Sequence, residues 1–239
     1  MNYNELNFDT MTRERELSMS AAFPALMRKV YLWMSMALVI TGVTAYGVAT
    51  SPGLLEMIVT NQILFWGLII AEFGLVIGIT AAINRLSLTT ATLLFVLYSI
   101  INGATLSFIF LVYTMSSIAS VFFVTAGTFA VMSLIGYTTK TDLTSVGKIL
   151  LMALIGIIIA TIVNIFLKST GLQTIVNYLG VLIFVGLTAY DTQKIKQMLL
   201  DAPDYGEAAQ KVALLGALSL YLDFINLFLY LLRIFGRRE

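Results

Sequence analysis

Carboxylates are the side chains most able to do chemistry in this sequence, because its 239 residues include neither His nor Cys. The usual neutral-pH base and the thiolate nucleophile are therefore missing, and proton or cation chemistry falls to carboxylates, Tyr or Lys. Glu72, Asp191 and Asp223 stand within or at the edge of long apolar segments. A carboxylate at bilayer depth costs about 2.5–3.5 kcal/mol and is by default a functional-site candidate. For Glu72, the alternative is a buried polar group that fixes helix packing.

Asp223 lies near the middle of the apolar segment 212–232, within a polar stripe at helical spacing. The other members of the stripe are Gly216, Ser219, Asn226 and Tyr230, at i−7, i−4, i+3 and i+7. A helix with such a stripe is expected to turn it toward protein or water. We interpret Ser219, Asn226 and Tyr230 as supporting polar groups of a pathway for ions or protons. A structural hydrogen-bonded seam is the alternative.

Asp191 and Asp223 are predicted to lie at the same depth. The segments that carry them are joined by the turn sequence Pro-Asp-Tyr-Gly at 203–206. In an antiparallel helical hairpin, residues at equal depth are symmetric about the turn, and residue 207 is the midpoint of the two aspartates. The first helix of the hairpin should therefore continue to about Ala202. The simpler interpretation of Asp191 is an interfacial ion pair with Lys194 of about 0.3–0.5 kcal/mol.

Two adjacent carboxylates in a low dielectric cannot both ionise cheaply, so the pair should titrate as a unit. When protonated, the pair can share a hydrogen bond that holds two helices together. When deprotonated, it replaces that bond with repulsion and exposes oxygen ligands that suit a hard cation such as Ca²⁺. We therefore predict that Asp191 and Asp223 act as gate, proton sensor and transient Ca²⁺ ligands, with Arg85 as a latch and Glu72 as a pathway residue. No cofactor is predicted apart from Ca²⁺ as the transported ion.

The elements that position these residues are predicted from the composition. Hydrophobic residues make up 59% and charged residues 11% of the chain, against about 45–50% and 25% in soluble domains. Seven apolar segments of 17 to 23 residues each match the length of a spanning helix, about 17–25 residues. They run over 30–49, 62–83, 91–113, 119–136, 149–167, 174–190 and 212–232. We therefore expect an all-α integral membrane protein with seven transmembrane helices in the lipid bilayer.

Residues 1–29 are polar and are predicted to form a mobile cytoplasmic tail that ends in a short interfacial helix around 23–27, before a membrane domain over 30–239. Ten Lys and Arg residues fall in the tail and the inner loops if the N-terminus is cytoplasmic, while the outer loops carry only Lys168. The positive-inside rule therefore favours that orientation. The net charge of +1 offers no electrostatic footprint for nucleic acid.

The last segment conflicts with this orientation. Seven full crossings place three arginines on the outer side: Arg233, Arg237 and Arg238. A re-entrant last segment would return them to the inner side, and a central, protein-buried last helix could tolerate the mismatch. The sequence leaves both arrangements open, and it carries no indication of the oligomeric state.

Two stretches around the aspartates are distinctive, namely AYDTQKI at 189–195 and LSLYLDFINLF at 218–228, the latter followed by LLR at 231–233. Through them the chain resembles the Bax inhibitor family, specifically its bacterial YccA-like branch. The resemblance covers nearly the whole chain and implies a last helix that is central and wrapped by the other six. It also implies a pH-sensitive Ca²⁺ leak gated by Asp191 and Asp223, contacted by Arg85, with Glu72 as the recurring acid of the second helix. The branch further implies a bacterial inner membrane location and a membrane-bound ATP-dependent quality-control protease as partner.

Other functions fit the residues less well. An intramembrane aspartyl protease would match Tyr190-Asp191, but the Gly-x-Gly-Asp of its second motif is absent before Asp223, so we do not predict an enzyme. A retinal protein needs a Schiff-base Lys in the last segment, and 212–232 contains none. P-loop, GxSxG and HExxH motifs are also missing. The alternative function is a non-transporting regulator that binds other membrane proteins, and a proton-coupled exporter ranks third.

Overall fold

The structure is a computed structural model that describes residues 3–202 and 206–238, with side chains from residue 23 onward in those ranges. This part of the chain forms nine helices and no strand. The helices are α1 (Tyr3–Ala49), α2 (Pro52–Thr60), α3 (Gln62–Ala82), α4 (Leu88–Leu106), α5 (Ile109–Val112), α6 (Met115–Thr138), α7 (Thr144–Leu167), α8 (Thr170–Leu200) and α9 (Glu207–Phe235). Seven helical segments are long and apolar enough to cross a membrane, which confirms the predicted fold class.

Several of the long helices begin where the sequence supplies a side chain that can accept from the first free backbone N–H groups. Ser87, Thr114 and Ser169 cap α4, α6 and α8 by accepting from the backbone N–H three residues on. Lys168 ends α7 in the left-handed conformation, at φ 49°. The predicted turn residues Pro203, Asp204 and Tyr205 lie outside the described residues, and α8 and α9 end and begin on either side of them. Helix α8 continues past Asp191 to Leu200, as the hairpin argument predicts.

The polar N-terminal region and the first span form one continuous helix. Helix α1 runs from Tyr3 to Ala49 with Pro24 inside it, so no backbone break separates the expected tail from the membrane domain at residue 29. Polar residues such as Glu and Arg are good helix formers, which is why polarity alone does not end a helix. Leu26, Met27 and Val30 are buried in the core, so one face of this part of α1 packs against protein, and the segment 23–27 continues into the first span without forming a separate short helix.

Helix α9 is the centre of the bundle, which confirms the prediction for the last helix. Of its apolar centre, 67% of the residues are buried, compared with 6% for α3 and 11% for α7. It packs against α8 and α1 most extensively, then against α6 and α4. Helices α3 and α7 form outer layers, because α3 packs chiefly on α4 and α7 chiefly on α8.

The last helix crosses the whole bundle and does not turn back. At one end of the bundle, Lys29 Nζ donates to Gln210 Oε1 near the start of α9 (3.1 Å). At the other end, the residues after α9 dock on the start of α6, where Thr114 N donates to Arg237 O (3.1 Å) and Arg237 N donates to Ser117 Oγ (2.9 Å). The structure therefore has the central, protein-buried last helix of the two arrangements that the sequence left open.

Candidate functional site

The contacts between α8 and α9 set the register of the two aspartates. A Cβ added at Gly216 would lie 2.9 Å from Ile195, and one at Gly180 would lie 2.5 Å from the Tyr230 ring. These antiparallel contacts are symmetric about residues 205–206, close to the midpoint of 207 predicted from the sequence. Asp191 and Asp223 are therefore separated along the helix axes by about one turn, roughly 5 Å.

Two carboxylates about one helical turn apart on packed helices repel each other when both are charged. Asp223 is only 5% exposed, and its Oδ2 is buried without a hydrogen-bond partner. Asp191 is half-buried, and the nearby Lys194 attracts it. Among the described side chains, however, the ion pair within 4.0 Å is Lys211 with Glu207 (3.1 Å), so Asp191 and Lys194 do not form the simple salt bridge considered above.

A cavity of about 180 Å³ gives access to Asp191 between α3, α8 and α9. Its polar lining residues are Asp191, Lys194, Ser219 and Thr80. A polar cavity of this size has room for water, and its oxygen atoms are of the kind that hydrated cations contact. The arrangement can therefore exchange protons or bring a small cation to one member of the pair.

The neighbours of Asp191 anchor α8 to three other parts of the bundle. Tyr190 packs against Gly147 of α7, where an added Cβ would overlap its ring. Thr192 Oγ1 donates to Ser133 Oγ of α6 (3.4 Å). Gln193 holds the α6–α7 connection, since its Nε2 donates to Thr141 O (2.8 Å) and its Oε1 accepts from Leu143 N (2.8 Å). These contacts occupy the other faces of α8. They therefore fix the rotation of α8 about its axis, and with it the face on which Asp191 lies.

The structure does not bring every predicted residue to the pair. Arg85 is exposed in the α3–α4 connection and forms no ion pair among the described residues, so it does not contact either aspartate in this conformation. A long side chain at a helix end can reach the polar interface, which competes with a buried partner. Asn226 donates to Leu222 O of its own helix (2.8 Å). Tyr230 lies farther along the seam, stacked on Phe184 at 5.8 Å between ring centroids.

Glu72 belongs to a second buried polar cluster on the opposite face of α9. Asn102 Nδ2 donates to Glu72 Oε2 (3.3 Å), and Tyr221 OH donates to Asn102 Oδ1 (3.0 Å). Thr41 Oγ1 lies 2.6 Å from Tyr221 OH and 3.0 Å from Ser99 O, and its single proton can be donated to either oxygen. Since Tyr221 OH donates to Asn102, Thr41 must donate to Tyr221 for the two hydroxyl groups to be hydrogen-bonded. This chain of hydrogen bonds, which we call the Glu72 network, joins α1, α3, α4 and α9.

The Glu72 network is incomplete at the carboxylate. Glu72 Oε1 and Asp223 Oδ2 are the two buried side-chain polar atoms without a partner in the described part of the chain. Tyr221 is fully buried, and the rings of Phe95 and Tyr98 meet it edge-on at 5.7 Å. Residues two apart point to nearly opposite faces of a helix, so Tyr221 and Asp223 give α9 one polar site on each side.

Sequence reasoning identified Glu72 but missed its partners. The available signal was Asn102, the single Asn in the apolar segment 91–113, and the hydroxyl of Tyr221 beside Asp223. Thr41 carried no signal, because a Thr in a spanning helix usually bonds to its own backbone.

No cluster of three or more Asp, Glu, His or Cys side chains occurs among the described residues. Ca²⁺ prefers six to eight oxygen ligands. The pair of aspartates therefore offers part of a coordination shell, as a transient site would, with water and backbone oxygens left to supply the rest.

This fold and site define a polytopic helical membrane protein in which buried carboxylates flank a central helix on two sides. The chain belongs to the Bax inhibitor family: the family model described as "Inhibitor of apoptosis-promoting Bax1" matches residues 24–239. The resemblance noted from the two sequence stretches is thereby confirmed.

Similar proteins occur in several bacteria. The chain is 53% identical over 221 residues to the inner membrane protein YbhL of Escherichia coli K12, covering 92% of this chain and 94% of that protein. It is 49% identical to a protein of Borreliella burgdorferi, covering 88% and 91% of the two chains. It is 38% identical to a membrane protein of Streptococcus pyogenes, covering 78% and 80%. The names of the Escherichia coli and Streptococcus pyogenes relatives describe membrane proteins.

Proposed function

We propose that this protein is a pH-sensitive cation leak that passes Ca²⁺, with Asp191 and Asp223 as its gate and proton sensor. The observation that carries the proposal is Asp223, a deeply buried carboxylate with an unpartnered oxygen, about one helical turn in depth from Asp191 on the neighbouring helix. An unpartnered buried polar oxygen costs about 1–3 kcal/mol, and such a cost is commonly found at functional sites.

In this mechanism, protonation closes the gate. A shared proton lets the two carboxyl groups attract each other across the α8–α9 seam. When the proton is lost, two negative charges at this depth repel, and separation of α8 from α9 would widen the cavity beside Asp191. A divalent cation would then compensate the charge and pass between the aspartates.

The remaining predicted residues have supporting roles in the proposal. Ser219 lines the cavity and would offer a hydroxyl to the passing ion. Glu72 would be a second carboxylate on the ion pathway, since it lies midway along α3. Arg85 would act as a latch only in a conformation that brings its guanidinium group to the pair. Asn226 and Tyr230 would support the seam itself.

We place the protein in the bacterial inner membrane with its N-terminus in the cytoplasm. Support comes from the inner membrane location of the Escherichia coli relative and from the cations at the α8–α9 loop end of the bundle. Those cations with described side chains are Arg28, Lys29, Arg85, Lys140, Lys148, Lys194, Lys196 and Lys211. The opposite end carries Lys168, Arg233, Arg237 and Arg238, so the positive-inside rule favours the first end as cytoplasmic.

Flux through the purified protein in liposomes tests the proposal directly. We expect Ca²⁺ flux that depends on pH, and we expect Asp191→Asn and Asp223→Asn each to change that dependence. Asp201→Asn is a matched control, because Asp201 is an exposed carboxylate at the end of the same helix as Asp191. Absence of flux, or a pH dependence that both site variants leave intact, would contradict the leak.

A second function, regulation of other membrane proteins without transport, is favoured by the length of α1. Its helix begins at Tyr3, about twenty residues before the spanning part that starts at Phe23. A helix extension of this length offers a surface for a partner such as a membrane-bound ATP-dependent protease. The purified protein should then show no Ca²⁺ flux in liposomes, and deletion of residues 1–22 should weaken partner binding in a pull-down. Ca²⁺ flux through the purified protein, or partner binding that the deletion leaves intact, would contradict this second function.

A further inference from the structure

A long apolar groove opens between α1 and α6 on the side of the bundle away from Asp191. It consists of two adjoining cavities of about 560 and 530 Å³ that share Met34 and Phe129. Helices α1 and α6 do not pack closely against each other there, and Phe224 of the central helix forms the floor. We call this feature the α1–α6 groove.

The α1–α6 groove is long enough for one lipid molecule. Along α1 its lining extends from Pro24 to Val43, which at about 1.5 Å per residue is roughly 28 Å. A bilayer with its interfacial regions is about 40–45 Å thick, so one leaflet with its headgroups is about half of that and is shorter than the groove. A single acyl chain with its headgroup therefore fits within the groove.

The chemistry of the groove changes from one end to the other. The end near Gly42 is lined by apolar or small side chains. At the other end Arg28 and Tyr137 line the groove, and Lys196 Nζ donates to Tyr137 O (2.8 Å) and lies 5.1 Å from the centroid of its ring. The lining residues include no acidic side chain, and neither Arg28 nor Lys196 forms an ion pair among the described residues.

We infer that the α1–α6 groove is a binding site for an anionic phospholipid, with its acyl chain along Met34 and Phe129 and its phosphate between Arg28 and Lys196. Basic pockets between transmembrane helices bind anionic headgroups in this way. Zwitterionic lipids have the same acyl chains, so the two uncompensated cations are what would select an anionic headgroup. The tyrosine ring beside them suits the interfacial layer.

The first test removes the charges from the full-length purified protein. Native mass spectrometry in detergent would measure the affinity for phosphatidylglycerol and for phosphatidylcholine. At about fivefold per charge near a membrane surface, Arg28→Gln with Lys196→Gln should weaken phosphatidylglycerol binding about thirtyfold. Phosphatidylcholine binding should weaken much less, because the choline cation offsets the charge of its phosphate. The matched control is Lys140→Gln with Lys148→Gln, which removes two exposed lysines from the same end of the bundle outside the groove.

The second test fills the groove without changing any charge. A Cβ added at Gly42 meets no atom within 4 Å, so Gly42→Leu places a side chain into the groove without displacing the fold. This variant should release the tightly held phosphatidylglycerol, whereas Gly67→Leu, at an equally open glycine of α3, should retain it.

Equal binding of the two lipids to the unmodified protein would overturn the inference, as would equal losses in the site variants and their controls. If the double Gln variant does not fold, the charge-conserving variant Arg28→Lys with Lys196→Arg should keep the preference for phosphatidylglycerol. The Gly42→Leu variant then tests independently whether the lipid lies in the α1–α6 groove. The inference does not depend on Ca²⁺ transport, so a protein without flux could still bind the lipid.

Discussion

Removal of the Tyr221 hydroxyl is expected to destabilise the bundle at its centre. The hydroxyl lies 2.6 Å from Thr41 Oγ1 and donates to Asn102 Oδ1 at 3.0 Å, so Tyr221→Phe breaks the link between α1, α4 and α9 in one step. Phe keeps the ring and its edge-on contacts with Phe95 and Tyr98. The variant therefore isolates the hydrogen bonds from the packing.

The expected loss follows from the two bonds. Interhelical hydrogen bonds in membrane proteins contribute about 0.6 kcal/mol on average and up to about 1.7 kcal/mol. Tyr221→Phe also leaves Asn102 Oδ1 buried without its donor, so we expect about 1–2 kcal/mol in total. For a chain of this size, that corresponds to a melting temperature lower by about 2–4 °C per kcal/mol.

Thermal unfolding of the purified protein in detergent would measure this change. Tyr178→Phe is the matched control, since Tyr178 is 56% exposed and its hydroxyl makes no hydrogen bond among the described residues. A double-mutant cycle with Thr41→Val should show a coupling of at least about 0.5 kcal/mol, as residues within one network do. A melting temperature equal to that of the control, or additive effects in the cycle, would refute the role assigned to the Glu72 network.

Two further predictions concern residues outside the candidate site. Gly136→Ala should destabilise the fold by about 1–3 kcal/mol, because the added Cβ would overlap the backbone carbonyl of Ala189, whereas Gly127→Ala on the same helix meets nothing within 4 Å and should be neutral in the same thermal assay. Hydrogen bonds from the Thr144 hydroxyl and backbone N–H, the latter 2.8 Å from Oδ1, hold the pKa of Asp142 below its ordinary value. The carboxylate therefore contributes stability at neutral pH that is lost as the pH falls below the usual Asp range, near 3.9. The melting temperatures of the unmodified protein and Asp142→Ala should converge in acid, and a constant difference at all pH values would contradict this.

The hairpin of the last two spans shows how far local sequence reasoning reaches. The positions of Asp191 and Asp223 on either side of the connecting loop predicted equal depth, and the register in the structure agrees to within about one helical turn, because the rise of an α-helix is constant. The same reasoning predicted that α8 continues beyond Asp191, and it does so to Leu200. Hydrophobic segment length likewise predicted all seven spans, since the thickness of the bilayer constrains each of them separately.

Residues that meet across distant segments were not predictable in this way. The partners of Glu72 come from α1, α4 and α9, and Thr41 and Tyr221 are 180 positions apart. Arg85 was placed with the pair by charge complementarity and resemblance, whereas in the structure it is exposed. Charge alone does not determine where a long side chain points, because the interface can solvate it equally well.

The lipid environment explains why the spans could be predicted from the sequence and the contacts between helices could not. Composition and the positions of apolar segments determine that the chain crosses a membrane seven times, because each helix must satisfy its own backbone hydrogen bonds. Which helices then become neighbours depends on close packing of small residues and on interhelical hydrogen bonds, since lipid tails exert no hydrophobic preference among apolar helix faces. The central position of α9 follows from the resemblance and is confirmed, while the Glu72 network and the α1–α6 groove depend on how seven helices pack together, a property that no single segment contains.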